Sequence, residues 1–212
     1  MITSLRSTRI LALVAFALAG SATLSLPASA ATPDELIRPI QDQWAEIKYR
    51  QPEKQHAESY RMLASQARRV VEANPKLPEP LIWEGIVLSS EAGAEGGLGA
   101  LSLAKEARQR LDEALKIDDK ALGGSAYASL ATLYAKVPGW PVGFGDKERA
   151  EEYFRKALAI NPDGIDPNYF YGEYLSERGR QAEAVTHLEK ALKAPARPGR
   201  ELADRGRRQE VQ

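Results

Sequence analysis

Cysteine is absent from the 212 residues. Its absence excludes disulfides, thiolate metal sites, cysteine nucleophiles and a lipid-modified N-terminal cysteine. Histidine is scarce too: His56 and His187 are the only two. Each lies on a charged stretch without a serine or carboxylate at catalytic spacing, and both read as solvated helix residues. No Walker loop, dinucleotide-binding fingerprint, zinc-protease motif or nucleophile elbow occurs. "EGGLGA" and "GFGD" carry glycines, but neither follows a strand, so they read as turns between helices. An excess of one charge is also missing. The 29 Lys/Arg and 29 Asp/Glu leave a formal net charge of +0, which disfavours nucleic acid and acidic membrane surfaces. Adjacent carboxylates such as Asp112-Glu113 and Glu151-Glu152 diverge on a helix and read as solubilising. The expectation is a non-enzymatic chain with no metal and no cofactor.

Long apolar runs are limited to Ile10–Leu24. Arg6 and Arg9 precede it and Ala28-Ser29-Ala30 follows, the pattern of a secretory leader over residues 1–30. Retention as an uncleaved anchor is the alternative, although the run falls short of the roughly 20 apolar residues that span a bilayer. Export to a bacterial periplasm is expected. Without cysteine, the exported chain must hold itself together by packing.

Helical periodicity is strongest in "DKERAEEYFRKALAINPDG", where Ala150, Phe154, Ala157 and Leu158 share a face and the opposite face is charged. Asp146 is placed to cap its start and Asn161-Pro162 to end it. The same spacing recurs at Ala107, Leu111 and Ala114, and at Ala184, Leu188 and Ala191. Each such helix follows another that carries a small residue where two helices approach: Gly85, Ala131 and Gly172. Asp166-Pro167 reads as an N-cap followed by proline at the first helical position. Leu111, Leu115, Leu130, Tyr134, Phe154, Leu158, Leu175 and Leu188 are the expected core.

Phe154 to Leu188 spans 34 residues, the period of the tetratricopeptide repeat, which these paired helices resemble. The resemblance implies an all-α solenoid of about four helical hairpins. Residues 31–78 form a divergent first pair, 79–196 hold the repeats, and 197–212 are an arginine-rich tail, either a short helix or frayed. Two copies are longer than the period. The excess falls in "EAGAEGGLGALS" and in "VPGWPVGFGD", both read as enlarged turns inside a hairpin, side by side on one edge.

The stretch "LYAKVPGWPVGFGDKERAEEYFRKALAINPDGIDPNYFYGEYL" also resembles the T component of tripartite ATP-independent periplasmic (TRAP) transporters, over roughly residues 80–194. That resemblance implies an exported solenoid that docks a periplasmic solute-binding protein, either as a single chain or as a homo-oligomer, with a cleft for an apolar ligand. In tetratricopeptide solenoids the first helix of each pair lines the concave groove, which here places Ile82, Ile86 and Tyr169 on it. The clustered Lys and Asn of a carboxylate clamp are missing, since Ile86, Thr132 and Glu173 stand there. Trp140 and Phe144 form the second candidate surface, either a binding edge or a plug folded over the helix ends. The C-terminal Arg197, Arg200, Arg205, Arg207 and Arg208 read as a solvated tail, with contact to an acidic partner as the alternative. Two functions follow: an adaptor for a periplasmic protein, or a carrier of a small apolar ligand gated by residues 137–146.

Overall fold

The computed structural model describes residues 31–212; the leader expected over residues 1–30 lies outside them. Helices α1 (Pro33–Arg50), α2 (His56–Ala73), α3 (Pro78–Glu95), α4 (Gly97–Ile117), α5 (Ala121–Lys136), α6 (Lys147–Ile160), α7 (Ile165–Glu177), α8 (Gln181–Lys193) and α9 (Glu201–Val211) follow in chain order. Among the described residues there is no strand, and no helix is long and apolar enough to cross a membrane.

Local chemistry sets several of the helix starts. At α1, the Thr32 hydroxyl accepts from the Glu35 N–H at 3.3 Å while the Glu35 carboxylate accepts from the Thr32 N–H at 2.7 Å, a reciprocal capping box. At α6 the expected cap forms, with the Arg149 N–H donating to the Asp146 carboxylate at 3.0 Å. At α7 it does not. The helix opens at Ile165 after Gly164, and Asp166 sits inside the first turn with its carboxylate on Arg197 and Arg207.

Helices α1/α2, α3/α4, α5/α6 and α7/α8 pack as antiparallel hairpins, and each stacks on the next through its first helix. The small-residue register is visible in the packing. A Cβ added at Gly85 would lie 2.7 Å from Leu111 Cγ, and one at Gly172 would lie 2.8 Å from Leu188 Cγ. The two hairpins therefore repeat one close contact. Ala107, Ala150 and Ala184 are buried at the facing positions. The chain is an all-α, tetratricopeptide-like solenoid. Its core runs continuously from Ile37 and Leu63 through Leu111 and Leu130 to Phe154 and Leu175. Leu115 and Leu158 are half-buried against that core, and Leu188 is half-buried where it packs on Gly172.

One expected enlarged turn is instead helix. α3 continues to Glu95 and α4 begins at Gly97, so the extra residues lengthen both helices. Ala92, Ala94, Ala100 and Ala104 favour helix on the two sides, and Gly96 and Gly97, at φ 67° and 60°, turn the corner. The other insertion, residues 137–146, is a folded loop. Gly145 N–H donates to Pro138 C=O at 2.9 Å, and Asp146 N–H donates to Tyr134 C=O at 3.0 Å. A Cβ on Gly145 would lie 1.8 Å from Val137 O, so the loop closes on itself only with glycine there. The two insertions do meet: Leu101 and Arg108 of α4 lie against Gly143 and Phe144.

The arginine-rich segment is neither frayed nor solvated. α9 turns back and packs on α7, α8 and α1, joining the last hairpin to the first helix. A Cβ at Gly206 would fall 2.4 Å from Tyr49 Cδ1, so glycine permits the close approach to α1.

Candidate binding groove

The first helices of the hairpins and α9 enclose an open groove of about 1520 Å³. α3 contributes Trp83, Ile86 and Ser89; α5 contributes Ser129 and Thr132; α7 contributes Phe170. Val137, Pro138 and Val142 stand at its rim, so the folded loop borders the groove.

Its aromatic end is built on α1 and α3. The Trp44 and Trp83 rings meet edge to face at 6.1 Å. Trp44 Nε1–H donates to Ser90 Oγ at 2.8 Å, and that hydroxyl donates to Ile86 C=O at 2.9 Å. Trp83 Nε1–H has no acceptor among the described residues. The Arg200 guanidinium lies 4.8 Å over the Trp83 ring.

α9 is held over the groove by charge. Arg197 Nη1 donates to Asp166 Oδ2 at 2.7 Å and Arg207 Nε donates to Asp166 Oδ1 at 3.0 Å. Burial alone would raise the Asp166 carboxyl, but Arg207 and Arg197 outweigh it and hold that group well below the usual carboxylate range. Arg207 also bonds Glu210 at 2.6 Å and lies 4.4 Å from the Tyr169 ring centroid. Arg38 Nη1 donates to Gly199 C=O at 3.0 Å.

The expected site residues divide. Ile86 lines the groove. Ile82 does not, being fully buried, because α3 is flanked by neighbours on nearly every side and its apolar residues go to the core. Tyr169 lies beneath Arg207, and its neighbour Phe170 faces the groove instead. Arg207 of α9 lies over both rings, at 4.4 and 4.5 Å, and of the two only Phe170 borders the groove.

The loop aromatics also part company. Phe144 packs edge to face on Tyr134 at 5.5 Å, with the Arg108 guanidinium 4.5 Å over its ring, so it is a plug. Trp140 is 90% exposed and does not line the groove, although Val137, Pro138 and Val142 of the same loop do.

Neither histidine is a solvated side chain. Asn168 Nδ2 donates to Pro162 C=O at 2.8 Å and to Gly164 C=O at 2.9 Å, leaving its Oδ1 to accept from His187 Nδ1–H at 2.9 Å. Burial, then Lys190, lowers the His187 pKa, in keeping with a neutral ring in a structural bond. His56 Nε2 lies 3.0 Å from Gln51 C=O. Among the described residues, no cluster of three His, Asp or Glu could hold a metal ion.

Stacked helical hairpins around a concave groove define a repeat fold whose extended inner surface is suited to binding other molecules. A family model described as a tetratricopeptide repeat matches residues 143–163, which is α6 with its glycine-containing approach. The match spans a short part of the chain, and what it shares with the structure is the tetratricopeptide-like fold, one that typically serves as a non-enzymatic scaffold for protein interaction. No curated protein matches the sequence.

Arg200, read from the sequence with the tail arginines and with an acidic partner only as the alternative, lines the groove. Only the return of α9 brings it over Trp83, and no local pattern signals that return.

Proposed function

We propose that the chain is an exported, periplasmic adaptor whose groove grips a segment of a partner protein, with the solute-binding protein of a transporter as the expected class of partner. The groove carries this reading. It is concave, about 1520 Å³ in volume, lined by the first helices, and joins apolar and polar groups without a catalytic constellation. Exposed Trp140, on the loop that borders the groove, supplies a large aromatic of the kind that dominates interface energetics.

The test is a photo-crosslinking amino acid placed at Ser129, inside the groove, and at Ala159, on the outward face of α6. Residues 31–212 carrying each are exposed to periplasmic extract of the host. Crosslinking of one protein from Ser129 and not from Ala159 supports the adaptor. Equal crosslinking from both, or none from either, contradicts it. The carrier reading is favoured by the groove's apolar rim at Val137, Pro138 and Val142. It predicts a small apolar molecule retained by the purified chain in native mass spectrometry.

A further inference from the structure

We propose that the groove anchors a carboxylate on Arg200, so that its ligand is a carboxylate with an apolar body. The proposal rests on the groove being the binding surface.

Arg200 differs from the other cations along the groove, which are already engaged. Lys48 pairs with Glu210 at 3.2 Å, Lys136 with Glu173 at 3.6 Å, and Arg197 and Arg207 with Asp166. Arg200 has no ion pair among the described residues, and its Nε is buried without an acceptor. Asp166, Asp204 and Asp42 lie near enough to favour its charge, but none pairs with it directly, and a half-buried guanidinium without a direct partner is costly. Burial and neighbouring Arg197 disfavour its charge and push its pKa down to about 10, which leaves it a cation at neutral pH. An anion in the groove would relieve both effects. The planar fork of arginine suits a carboxylate's two oxygens.

A second donor lies beside it. Trp83, only 5% exposed, lines the same groove and sits 4.8 Å beneath the guanidinium, and its indole N–H also has no acceptor. The adjacent Trp44 indole is satisfied by Ser90. Two neighbouring donors, the Arg200 Nε–H and the Trp83 indole N–H, thus lack an acceptor, as does the Tyr60 hydroxyl elsewhere on the groove lining. A carboxylate supplies acceptors and negative charge together.

The remaining wall describes the rest of the ligand. Ser89 Oγ donates to Gly85 C=O at 2.7 Å and Thr132 Oγ1 donates to Ala128 C=O at 3.0 Å, so their hydrogens are committed to the helices. With Ile86 and Phe170 beside them, the wall favours an apolar body. Such chemistry has two sources: a free amphipathic carboxylate, or the C-terminus of a partner protein ending in apolar residues.

The probes are decanoate against decanol, and a leucine-terminated hexapeptide with a free against an amidated C-terminus, titrated onto residues 31–212 by tryptophan fluorescence and calorimetry. At least one acid should bind tenfold or more tightly than its neutral counterpart. Arg200→Gln should abolish that difference, and Arg200→Lys should keep part of it. Thermal unfolding of each variant checks that the fold is intact; Arg200 carries no ion pair whose loss would unfold it. Binding by decanoate alone assigns a free carboxylate, and by the peptide acid alone a protein terminus. No preference for either acid, or the same preference in Arg200→Gln, overturns the proposal. Crosslinking from Ser129 is read separately in the Arg200→Gln background. A partner still captured there leaves the adaptor standing if the anchor fails, and an acid bound without any capture does the reverse.

Discussion

Replacing Arg207 by alanine should loosen the whole C-terminal end of the molecule. The side chain is 5% exposed, bonds Asp166 at 3.0 Å and Glu210 at 2.6 Å, and stacks within 4.5 Å of the Phe170 ring centroid. Breaking a buried ion pair by deleting one partner costs ~3–5 kcal/mol, because the other charge is left uncompensated. Asp166 would keep Arg197, which places the cost near the low end, while the lost stacking restores part of it at ~0.5–2 kcal/mol. A loss of about 3 kcal/mol is therefore expected, read from the urea midpoint at constant slope. Arg205, exposed on the same helix, is the control, and its alanine variant should stay within ~0.5 kcal/mol of the parent. A cost for Arg207→Ala below ~1 kcal/mol, no larger than a surface pair, would refute the docking of α9.

The same clasp predicts a pH dependence. Asp166 titrates lower in the folded chain than its ordinary 3.8, so its contribution is present above that pH and is lost as the pH falls below it. The stability gap between the parent and Asp166→Asn should therefore be widest near neutrality and narrow below about pH 4 in acid denaturation series; a gap that grows on acidification would reverse the argument. Phe154→Ala should cost ~3–5 kcal/mol in chemical denaturation, since it empties a site packed on Tyr171 and Tyr174, each at 5.4 Å. Gly85→Val should cost ~1–3 kcal/mol by overpacking, since even a Cβ would lie 2.7 Å from Leu111 Cγ. Trp140→Ala should leave the thermal midpoint unchanged and weaken partner capture by more than ~2 kcal/mol. Phe144→Ala should lower the midpoint, because Phe144 is the ring that packs.

The repeat was legible because it is local. Ala150, Phe154 and Ala157 share a helix face at fixed spacing, and Gly172 twelve residues before Ala184 announces a close crossing that the packing on Leu188 bears out. What escaped depended on distant partners. Asp166 has the composition of an N-cap, but Arg197 and Arg207, many residues downstream, claim its carboxylate. Ile82 and Ile86 are one turn apart on an all-round apolar helix, and only the positions of the flanking helices send one to the core and the other to the groove. Arg200 looked like any tail arginine until α9 carried it back over Trp83. The glycine-rich corner at Gly96 misled in the opposite sense: two positive-φ glycines, Gly96 and Gly97, sufficed for the turn, and the residues beside them went to helix.

The central claim is that the inner surface of the solenoid is the binding surface. Hydrogen exchange of residues 31–212, alone and with the partner captured from Ser129, tests it most directly. The account predicts added protection in α3 around Trp83–Ser90, in α5 around Ser129–Thr132 and at the start of α9, with the outward helices α4, α6 and α8 unchanged. Protection confined to those outward helices would contradict it.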